Sequence, residues 1–528
     1  MKNNFLFILL LSFCFCKALA VKNNIPYLNN NDGTVQLIVD NKPYMMIAGE
    51  LHNSSTSTID YMKPIWDKIV KGNLNTVLAV VSWQQFEPTE GVFDYSLIDS
   101  MIKEAEQRNL KLVFLWFGTW KNGESSYTPD WVKKDTKRFF RVKNKEGKDI
   151  ETVSPFCYEA RKADCKAFKT LMSYLAKNDI NRTVIMIQPE NEMGIFQDID
   201  YSSASLKAFQ EKVPDILIEY IINNEKRLEK QLLASWIDNG RKKEGNWVDV
   251  FGDTPFTREF FMASQYASYV NDVAGSGKEV YPLPMFINAW IIQTPDQMPG
   301  QYPNGGPVSR VLDIYKALAS NIDVLCPDIY LPDFKNEVAK YIRKDNPLLI
   351  PESKYEPGRA FYAFAECNAI CFAIFGIEDH TDNILLQETH KILGDLHDII
   401  LNNQGNGRMR GFLKYNNRSE KIVLGDYVFN VEYKNNEDPA FGLIIQTEDD
   451  KFIISGMNFD IKLSSVRKNK TAYFLQVWEG SYNKREWKPL RLLNGDETLH
   501  NSRFMAPGRW ENGYRIPQTY NISVYTRD

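Results

Sequence analysis

The chain has 528 residues, of which 44% are hydrophobic and 25% are charged, and its formal net charge is −4. This length favours two or three domains over a single hydrophobic core. The near balance of 63 basic and 67 acidic residues gives no electrostatic reason to expect nucleic acid or an anionic membrane surface as a partner.

The N-terminal segment predicts an exported protein. Lys2 precedes an apolar run from Phe5 to Cys16, and Ala18-Leu19-Ala20 follows as a small-x-small cleavage site. A run of about 12 residues is too short for a stable membrane span. We therefore predict a signal peptide over residues 1–20 and a periplasmic or secreted mature protein without a membrane span. A lipoprotein anchored at one of the two cysteines of the run is the alternative, although Phe precedes each of them where a small residue is expected.

The remaining cysteines and the histidines give no sign of a metal site. Five cysteines follow the predicted cleavage site: Cys157, Cys165, Cys326, Cys367 and Cys371. Because five is odd, at least one thiol is free or pairs between chains, and a Cys157–Cys165 disulfide stays open. No Cys/His cluster has metal-ligand spacing, and neither a Gly-rich phosphate loop nor a G-x-S-x-G elbow is present. We expect no metal and no organic cofactor.

From about residue 44 to 380, short apolar runs alternate with amphipathic stretches. Each run is a near-continuous apolar block, which is typical of parallel strands buried on both faces. Eight repeats predict a (β/α)8 TIM barrel over residues 21–404, with an open α/β sheet as the alternative. The predicted strands are Tyr44–His52, Thr76–Trp83, Lys111–Gly118, Val184–Glu192, Pro284–Trp290, Val324–Tyr330, Leu348–Lys354 and Ala369–Glu378. Helices are predicted at Asp60–Lys71, Ser96–Asn109, Arg161–Asn178 and Ser203–Ala234.

The pattern changes after a last predicted helix at Glu388–Asn403. Gly/Asn turns and alternating strands replace helical periodicity from about Gly405 onwards. Leu443–Gln446 and Phe452–Ser455 flank a polar turn, which is a hairpin signature. We predict a separate all-β sandwich over residues 405–528.

Polar residues end several of the predicted barrel strands, where the catalytic groups of such barrels lie. Glycoside hydrolysis needs one protonated and one ionised carboxyl group. Glu192 ends strand four and Glu352 ends strand seven, so they fit the acid/base and the nucleophile. Glu190 is the rival of Glu192, because residues two apart on a strand point the same way, but it lies one layer deeper.

Further strand-end residues are candidates for substrate binding. The Asn191 amide could hold a substrate hydroxyl, and the Tyr330 hydroxyl could orient Glu352. His52 could donate a hydrogen bond to substrate or be a core histidine. Trp83 and Trp120 could be sugar platforms or barrel core. Lys121 and Asn122 could bind substrate hydroxyls or belong to a solvated loop.

Several motifs together resemble glycoside hydrolase family 35, the β-galactosidases. They are GELHNS, SWQQFEPTEGVFDYS, IQPENEMG, GQYPNGGP, PDIYLPDF and LLIPESK. The resemblance runs from about Leu37 to near the C-terminus, and it is greatest to the bacterial subgroup with a C-terminal DUF5597 β-domain. Pro189 departs from the family pattern, in which an aliphatic residue is common, and leaves the Asn-Glu pair intact.

The resemblance implies specific roles for the strand-end residues. Glu192 would be the acid/base and Glu352 the nucleophile, and Asn191 would contact the sugar 2-hydroxyl. The other implied pocket residues are His52, Glu50, Trp83, Lys121, Asn122 and Tyr330.

The implied activity is the release of terminal non-reducing β-D-galactose from an oligo- or polysaccharide by retaining double displacement. Two alternatives stay open. One is another exo-glycosidase on the same barrel, either a β-glucosaminidase or an α-L-arabinosidase. The other is a carbohydrate-binding protein without catalysis. A further hypothesis is that the C-terminal domain is itself a sugar-binding module, which an exposed flat row of Trp478, Trp487 or Trp510 would support.

Overall fold

The computed structural model describes residues 25–31, 33–416, 418–435, 438–483 and 486–528. The predicted signal peptide lies outside these residues. In the described part of the chain, all five cysteines carry free thiols, Cys157 and Cys165 among them. No helix there is long and apolar enough to cross a bilayer.

Eight parallel strands form a closed barrel, as the sequence predicted. Successive strands pair with one another, a bridge between Ile187 and Met285 joins the fourth to the fifth, and the eighth pairs with the first, with Cys371 opposite Met46. The seventh strand is interrupted at Pro351. The barrel strands one to eight are Met46–Glu50, Thr76–Ser82, Lys111–Lys121, Val184–Asn191, Phe286–Trp290, Val324–Ile329, Leu349–Ile350 continued by Glu352–Ser353, and Cys371–Phe375.

Helices surround the barrel, and one predicted helix is broken. The stretch Ser203–Ala234 is divided among three short helices. Pro214 lies at the first break, where it cannot continue a helix from the turn before it. The longest helix, Pro255–Lys278, begins at a Thr254 cap with proline at its first position. The helices are Ile59–Lys71, Trp83–Phe86, Ser96–Gln107, Asp130–Lys134, Tyr158–Asn178, Ser203–Phe209, Asp215–Asn224, Lys230–Asp238, Trp247–Phe251, Pro255–Lys278, Leu312–Leu318, Phe334–Ala339, Arg359–Ala365, Ile384–Asp395 and His397–Asn403.

The barrel interior is apolar at one end and polar at the other. N-terminal strands at Tyr27–Asn31, Thr34–Val39 and Lys42–Tyr44 bring Leu37 into one buried cluster with the lower inward residues of the barrel strands, including Phe286 and Cys326. Since strand side chains alternate with period two, the next inward positions are polar, at Asn288 and Asp328. This polar layer lies at the carboxyl ends of the strands.

The C-terminal region is a β-sandwich. A six-stranded and a four-stranded sheet enclose a second core, to which Phe412, Phe429 and Ile454 belong. The predicted hairpin forms, with Phe441–Glu448 antiparallel to Lys451–Met457. The other strands of the two sheets are Met409–Leu413, Ser419–Leu424, Tyr427–Tyr433, Phe459–Ser465, Thr471–Asn483, Glu486–Leu493, Arg503–Ala506 and Gln518–Arg527. Small separate hairpins form at Arg141–Lys143 with Asp149–Val153 and at Arg509–Glu511 with Tyr514–Ile516.

The sandwich docks on the barrel through close and specific contacts. Glu366, just after the helix Arg359–Ala365, accepts two hydrogen bonds from the Arg410 guanidinium at 2.8 and 2.6 Å and one from the Gly411 amide at 3.1 Å. The Phe441 ring lies so near Gly358 that a Cβ atom there would come within 2.2 Å of it. The orientation of the two domains is therefore fixed by sterics as well as by charge.

We predict that Gly358→Ala weakens this interface. The added methyl group must displace the Phe441 ring, and overpacking of this kind costs about 1–3 kcal/mol. Denaturant titration followed by tryptophan fluorescence measures the loss. Gly394→Ala is the matched control, because this glycine lies in the helix Ile384–Asp395 and nothing lies within 4 Å of its added Cβ. That substitution should stabilise the protein slightly. Equal effects of the two substitutions would contradict the interface argument.

Candidate active site

A cavity of about 450 Å³ opens at the carboxyl ends of the barrel strands. The polar layer of the barrel interior forms its floor. Residues from strands one, three, four, five, six, seven and eight, or from the loops that follow them, line it: Asn53, Lys121, Asn122, Glu192, Trp290, Ile291, Gln293, Asp328, Tyr330, Leu331, Glu352 and Phe375. The cavity is thus built from most of the barrel rather than from one loop.

Three carboxyl groups converge at the floor of this cavity. One oxygen from each of Glu192, Asp328 and Glu352 lies within 4.8 Å of the others, and all three residues are buried. A separation of about 5 Å between two carboxyl groups is typical of retaining glycosidases, whereas inverting enzymes keep them about 6.5–9.5 Å apart. The spacing of Glu192 and Glu352 therefore suits direct attack by one of them on a bound sugar.

Glu352 is surrounded by hydrogen-bond donors. The Tyr330 hydroxyl donates to Oε2 at 2.8 Å. The amides of Asn288 and Asn191 donate to Oε1 at 3.3 and 3.5 Å, and the Lys121 ammonium lies 3.9 Å from the same oxygen. Both oxygens of Glu352 are therefore held in place by protein donors.

The environment of Glu192 favours its protonated form. Burial, followed by the charge of Glu352, raises its pKa to about 7, although Lys121 opposes the shift. Its backbone lies in the left-handed region, with φ of 42°, which is uncommon for a side chain of this size. The Asn288 amide oxygen accepts its N–H at 3.0 Å, and its carbonyl accepts the Gly123 N–H at 3.0 Å. Neighbouring strand ends thus hold Glu192 in a strained conformation.

Lys121 is the cation of the site. Its ammonium donates to the Asn191 side-chain oxygen at 2.8 Å and is almost completely buried. Burial alone would lower its pKa, but the charges of Glu352, Glu192 and further carboxyls outweigh burial and raise it. Lys121 therefore remains charged, and its contact orients the Asn191 amide toward Glu352.

Glu50 is a further buried acidic group, and its pKa responds to the same surroundings as that of Asp328 in the cavity floor. Burial, and then the charge of Glu352, raises the pKa of each well above its ordinary value. Asp328 accepts a hydrogen bond from the Asn288 amide at 2.8 Å, while neither oxygen of Glu50 has a partner among the described residues. Burial of a charged carboxylate is costly, so both groups favour the protonated form.

The structure brings most of the predicted site residues together. Asn122 lines the cavity. His52 lies at the rim, where its ring contacts Asp379 at 2.7 Å and meets the cavity-lining Phe375 edge-on at 5.2 Å.

Trp83 does not reach the cavity. It is fully buried, donates to Glu87 at 2.8 Å and packs against Trp131. Trp120 is also fully buried, and its indole donates to the Val153 carbonyl at 3.0 Å. The structure thus places Trp83 and Trp120 in the core, which is one of the two interpretations left open by the sequence. Neither ring contacts a substrate that fills the cavity.

Glu190, the rival acid, holds the backbone of the third strand. Its carboxylate accepts the N–H groups of Thr119 at 3.2 Å and of Trp120 at 2.7 Å, and it is fully buried. These contacts fix the strand end that carries Lys121. Glu190 is thus a structural neighbour of the cavity rather than part of its lining.

Asn288, Asp328 and Trp290 were not among the predicted site residues. Asn288 bonds the Glu192 backbone, Asp328 and Glu352 at once, and Trp290 forms part of the cavity wall. The sequence signal was present: each lies at the end of a predicted apolar strand, and Asn288 and Asp328 follow inward apolar residues at a spacing of two.

Among the described residues, Glu192, Asp328 and Glu352 are the acidic group with spacing suited to a metal ion. The buried Lys121 ammonium already supplies positive charge there, and protein donors occupy both oxygens of Glu352. The lining therefore fits a neutral polar ligand better than a cation.

Two family models match the chain. The model described as glycosyl hydrolases family 35 matches residues 36–256, and a domain of unknown function, DUF5597, matches residues 386–505. A curated relative, beta-galactosidase 11 of Arabidopsis thaliana, is 30% identical over 126 residues, which is 22% of this chain and 14% of that protein. The chain thus matches only a small part of the length of this relative.

Solved structures resemble the chain more distantly. A beta-galactosidase from Bacillus circulans sp. alkalophilus has a TM-score of 0.46 at 15% identity and covers 68% of this chain and 57% of its own. The catalytic domain of a beta-amylase from Paenibacillus polymyxa has a TM-score of 0.46 at 13% identity and covers 66% of this chain and 97% of its own. At these scores the fold rests on the strand pairings described above.

The raised pKa of Glu192 predicts a pH-dependent stability cost. Between the ordinary pKa of 4.5 and the folded value of about 7, the folded state binds the proton more tightly, so stability falls as pH rises through this window. Glu192→Gln keeps the shape and cannot ionise. We expect it to match the wild type in stability near pH 4 and to exceed it by about 3 kcal/mol above pH 7.

Urea denaturation at pH 4, 6 and 8 tests this expectation. Glu211→Gln serves as the control, because Glu211 is exposed and the substitution there should show no comparable pH-dependent gain. A constant difference between Glu192→Gln and wild type across this range would refute the assignment of the shifted proton to Glu192.

Proposed function

Because the chain carries a glycosyl hydrolase family 35 domain followed by a DUF5597 domain, we propose that it is a glycoside hydrolase that releases terminal non-reducing β-D-galactose with retention of configuration. The predicted signal peptide supports the further proposal that it acts in the periplasm or outside the cell.

One observation carries the proposal: the carboxyl groups of Glu192 and Glu352 face the same cavity, and an oxygen of one lies within 4.8 Å of an oxygen of the other. Glu352 accepts hydrogen bonds from the Tyr330 hydroxyl and the Asn288 amide. Glu192 has a pKa of about 7 and holds a proton in slightly acidic to neutral solution. A retaining glycosidase needs this pairing of nucleophile and acid.

In the first step, Glu352 attacks the anomeric carbon while Glu192 donates its proton to the glycosidic oxygen. The bond between the anomeric carbon and that oxygen breaks, the leaving group departs as an alcohol, and an ester joins the sugar to Glu352. The Asn191 amide, oriented by Lys121, is positioned to bind a sugar hydroxyl near the reacting carbon.

In the second step, the roles reverse. The ester removes the negative charge of Glu352, which is one of the two causes of the raised pKa of Glu192. The pKa of Glu192 therefore falls, and its carboxylate accepts a proton from water as the water oxygen attacks the anomeric carbon. The bond to Glu352 breaks, and both carboxyl groups return to their starting states.

The shape of the cavity supports exo-action. Its floor is closed by the buried polar layer, and we propose that the non-reducing end of the glycan occupies it. Trp290 and Phe375 supply flat apolar walls, and polar side chains lie below them. Preference for galactose rests on the family match and on the name of the curated relative.

The first test compares p-nitrophenyl β-galactoside with the β-glucoside, β-glucosaminide and α-L-arabinopyranoside. We expect the galactoside to have the highest kcat/KM, and Glu352→Ala and Glu192→Ala to lower it by several orders of magnitude. Azide should rescue Glu352→Ala and yield an inverted glycosyl azide, because a small anion can replace the missing nucleophile. Preference for another sugar would assign a different exo-glycosidase activity, and no cleavage of any of them would favour a binding role.

The pH profile tests the role of Glu192. The protonated form is needed, so kcat/KM should fall as the pH rises through about 7. Lys121 lowers the pKa of Glu192, so Lys121→Met should move this basic limb to higher pH while it reduces the maximal rate. A basic limb that stays in place, or moves down, would show that another group controls it.

A further inference from the structure

A second cavity, of about 440 Å³, lies where the sandwich meets the barrel. The loops that follow barrel strands six and seven form one side, and residues 413–415 and 438–441 of the sandwich form the other. Its walls include the rings of Phe334, Tyr355, Tyr415 and Phe441. Neither domain alone would enclose it.

This interdomain cavity lies close to the active-site cavity along the chain. Tyr330 and Glu352 line the active site, while Pro332 and Tyr355 line the interdomain cavity. A segment of three residues spans at most about 10 Å when extended. The two cavities are therefore separated by a distance that a short oligosaccharide can bridge, on the same face of the barrel.

The walls of the interdomain cavity are held rigidly. Lys335 of the barrel pairs with Glu420 of the sandwich at 2.5 Å, and Phe441 packs on Gly358 and on the Phe361 ring, whose centre lies 5.1 Å away. Tyr355 is held by stacking on His380 with 4.3 Å between ring centres. A site formed in this way is present before any ligand binds, which lowers the entropic cost of binding.

The lining has the chemistry of a neutral polyol site. Most of its charged groups are paired: Lys335 with Glu420, Glu356 with Arg359 at 2.5 Å, and Asp438 with Arg515 at 3.1 Å. The Lys414 ammonium donates to the Lys434 carbonyl at 3.0 Å. The Tyr355 hydroxyl oxygen is buried and makes no hydrogen bond to any described residue, although such groups are normally satisfied. Aromatic walls with a few convergent polar groups are typical of small-ligand sites.

We propose that the interdomain cavity binds a glycosyl unit of the substrate on the leaving-group side of the cleaved bond. This inference rests on the proposed function, because the closed floor of the active site leaves only the leaving-group side for the rest of the glycan. The sandwich then contributes to substrate selection by completing this subsite.

Two variants probe the subsite from its two sides. Tyr415→Ala removes an aromatic wall contributed by the sandwich, and Tyr355→Phe removes only the hydroxyl without a partner. Tyr27→Ala is the control, because Tyr27 is exposed on the N-terminal strand Tyr27–Asn31, outside both cavities. Thermal melting establishes that each variant is folded.

The readout is kcat/KM on p-nitrophenyl β-galactoside and on β-1,3-, β-1,4- and β-1,6-linked galactotetraose. We expect the best tetraose to lose about tenfold in Tyr415→Ala and about threefold in Tyr355→Phe, because each removes a contact beyond the cleaved bond. The aryl galactoside should change less than about twofold, since it does not reach the subsite. Equal losses on both substrates, or no loss on the tetraose, would overturn the proposal.

A binding measurement distinguishes an incorrect subsite proposal from an incorrect proposed activity. If the wild type cleaves none of these substrates, the proposed function fails, and calorimetric titration of the tetraoses into Glu352→Gln with and without Tyr415→Ala still tests the cavity. Weaker binding in the double variant would support a sugar site there. Identical binding, or no binding to either protein, would refute it.

Discussion

A single buried cation faces a group of buried carboxyl groups, and the arrangement of the site depends on this imbalance. Lys121 is surrounded by Glu50, Glu192, Asp328 and Glu352, each of which contributes to its raised pKa. One ammonium cannot balance four carboxylates in a medium from which water is largely excluded. Protons must supply the remaining compensation, so the site holds acid equivalents at a pH where exposed carboxyl groups have lost theirs.

Hydrogen bonds between neighbouring barrel strands hold these buried polar groups in place. Asn288 links the fourth, sixth and seventh strands from its place on the fifth. Glu190 fixes the end of the third strand from below, and the Asn288 contact holds the unusual backbone of Glu192. Removing one member would leave other buried polar groups without partners, and the cost of each unsatisfied group is commonly about 1–3 kcal/mol.

The sequence predicts the strands of this fold well because parallel barrel strands are apolar on both faces. Seven of the eight predicted runs contain the whole observed strand, and the third strand extends three residues beyond its run, to Lys121. Glu192 and Glu352 stand out as polar residues at the ends of such runs. Trp83 illustrates a limit: its indole is as suitable for stacking on a sugar as for core packing, and only the positions of Glu87 and Trp131 decide between the two. The break in Ser203–Ala234 shows a second limit, because Pro214 can begin a helix as readily as it ends one.

Trp478, Trp487 and Trp510 do not share one surface. The first two lie half-buried in the six-stranded sheet, whereas Trp510 belongs to the separate hairpin, where Arg515 stacks on its ring at 4.6 Å. Trp510 alone of the three is exposed, so the tryptophans give little support to a sugar-binding row. A role for the sandwich is better sought where it meets the barrel than on its own outer face.

The pairing of the eighth barrel strand with the first, Cys371 opposite Met46, has a consequence for biogenesis. The first strand leaves the ribosome early and must wait for its parallel neighbour until nearly the whole barrel has been translated. Until then the nascent sheet has two unpaired edges and an uncovered apolar interior, which are the features that invite aggregation and chaperone binding. If the chain is exported, as its N-terminal segment predicts, late closure of the barrel would also keep the chain unfolded enough to pass through a translocation channel.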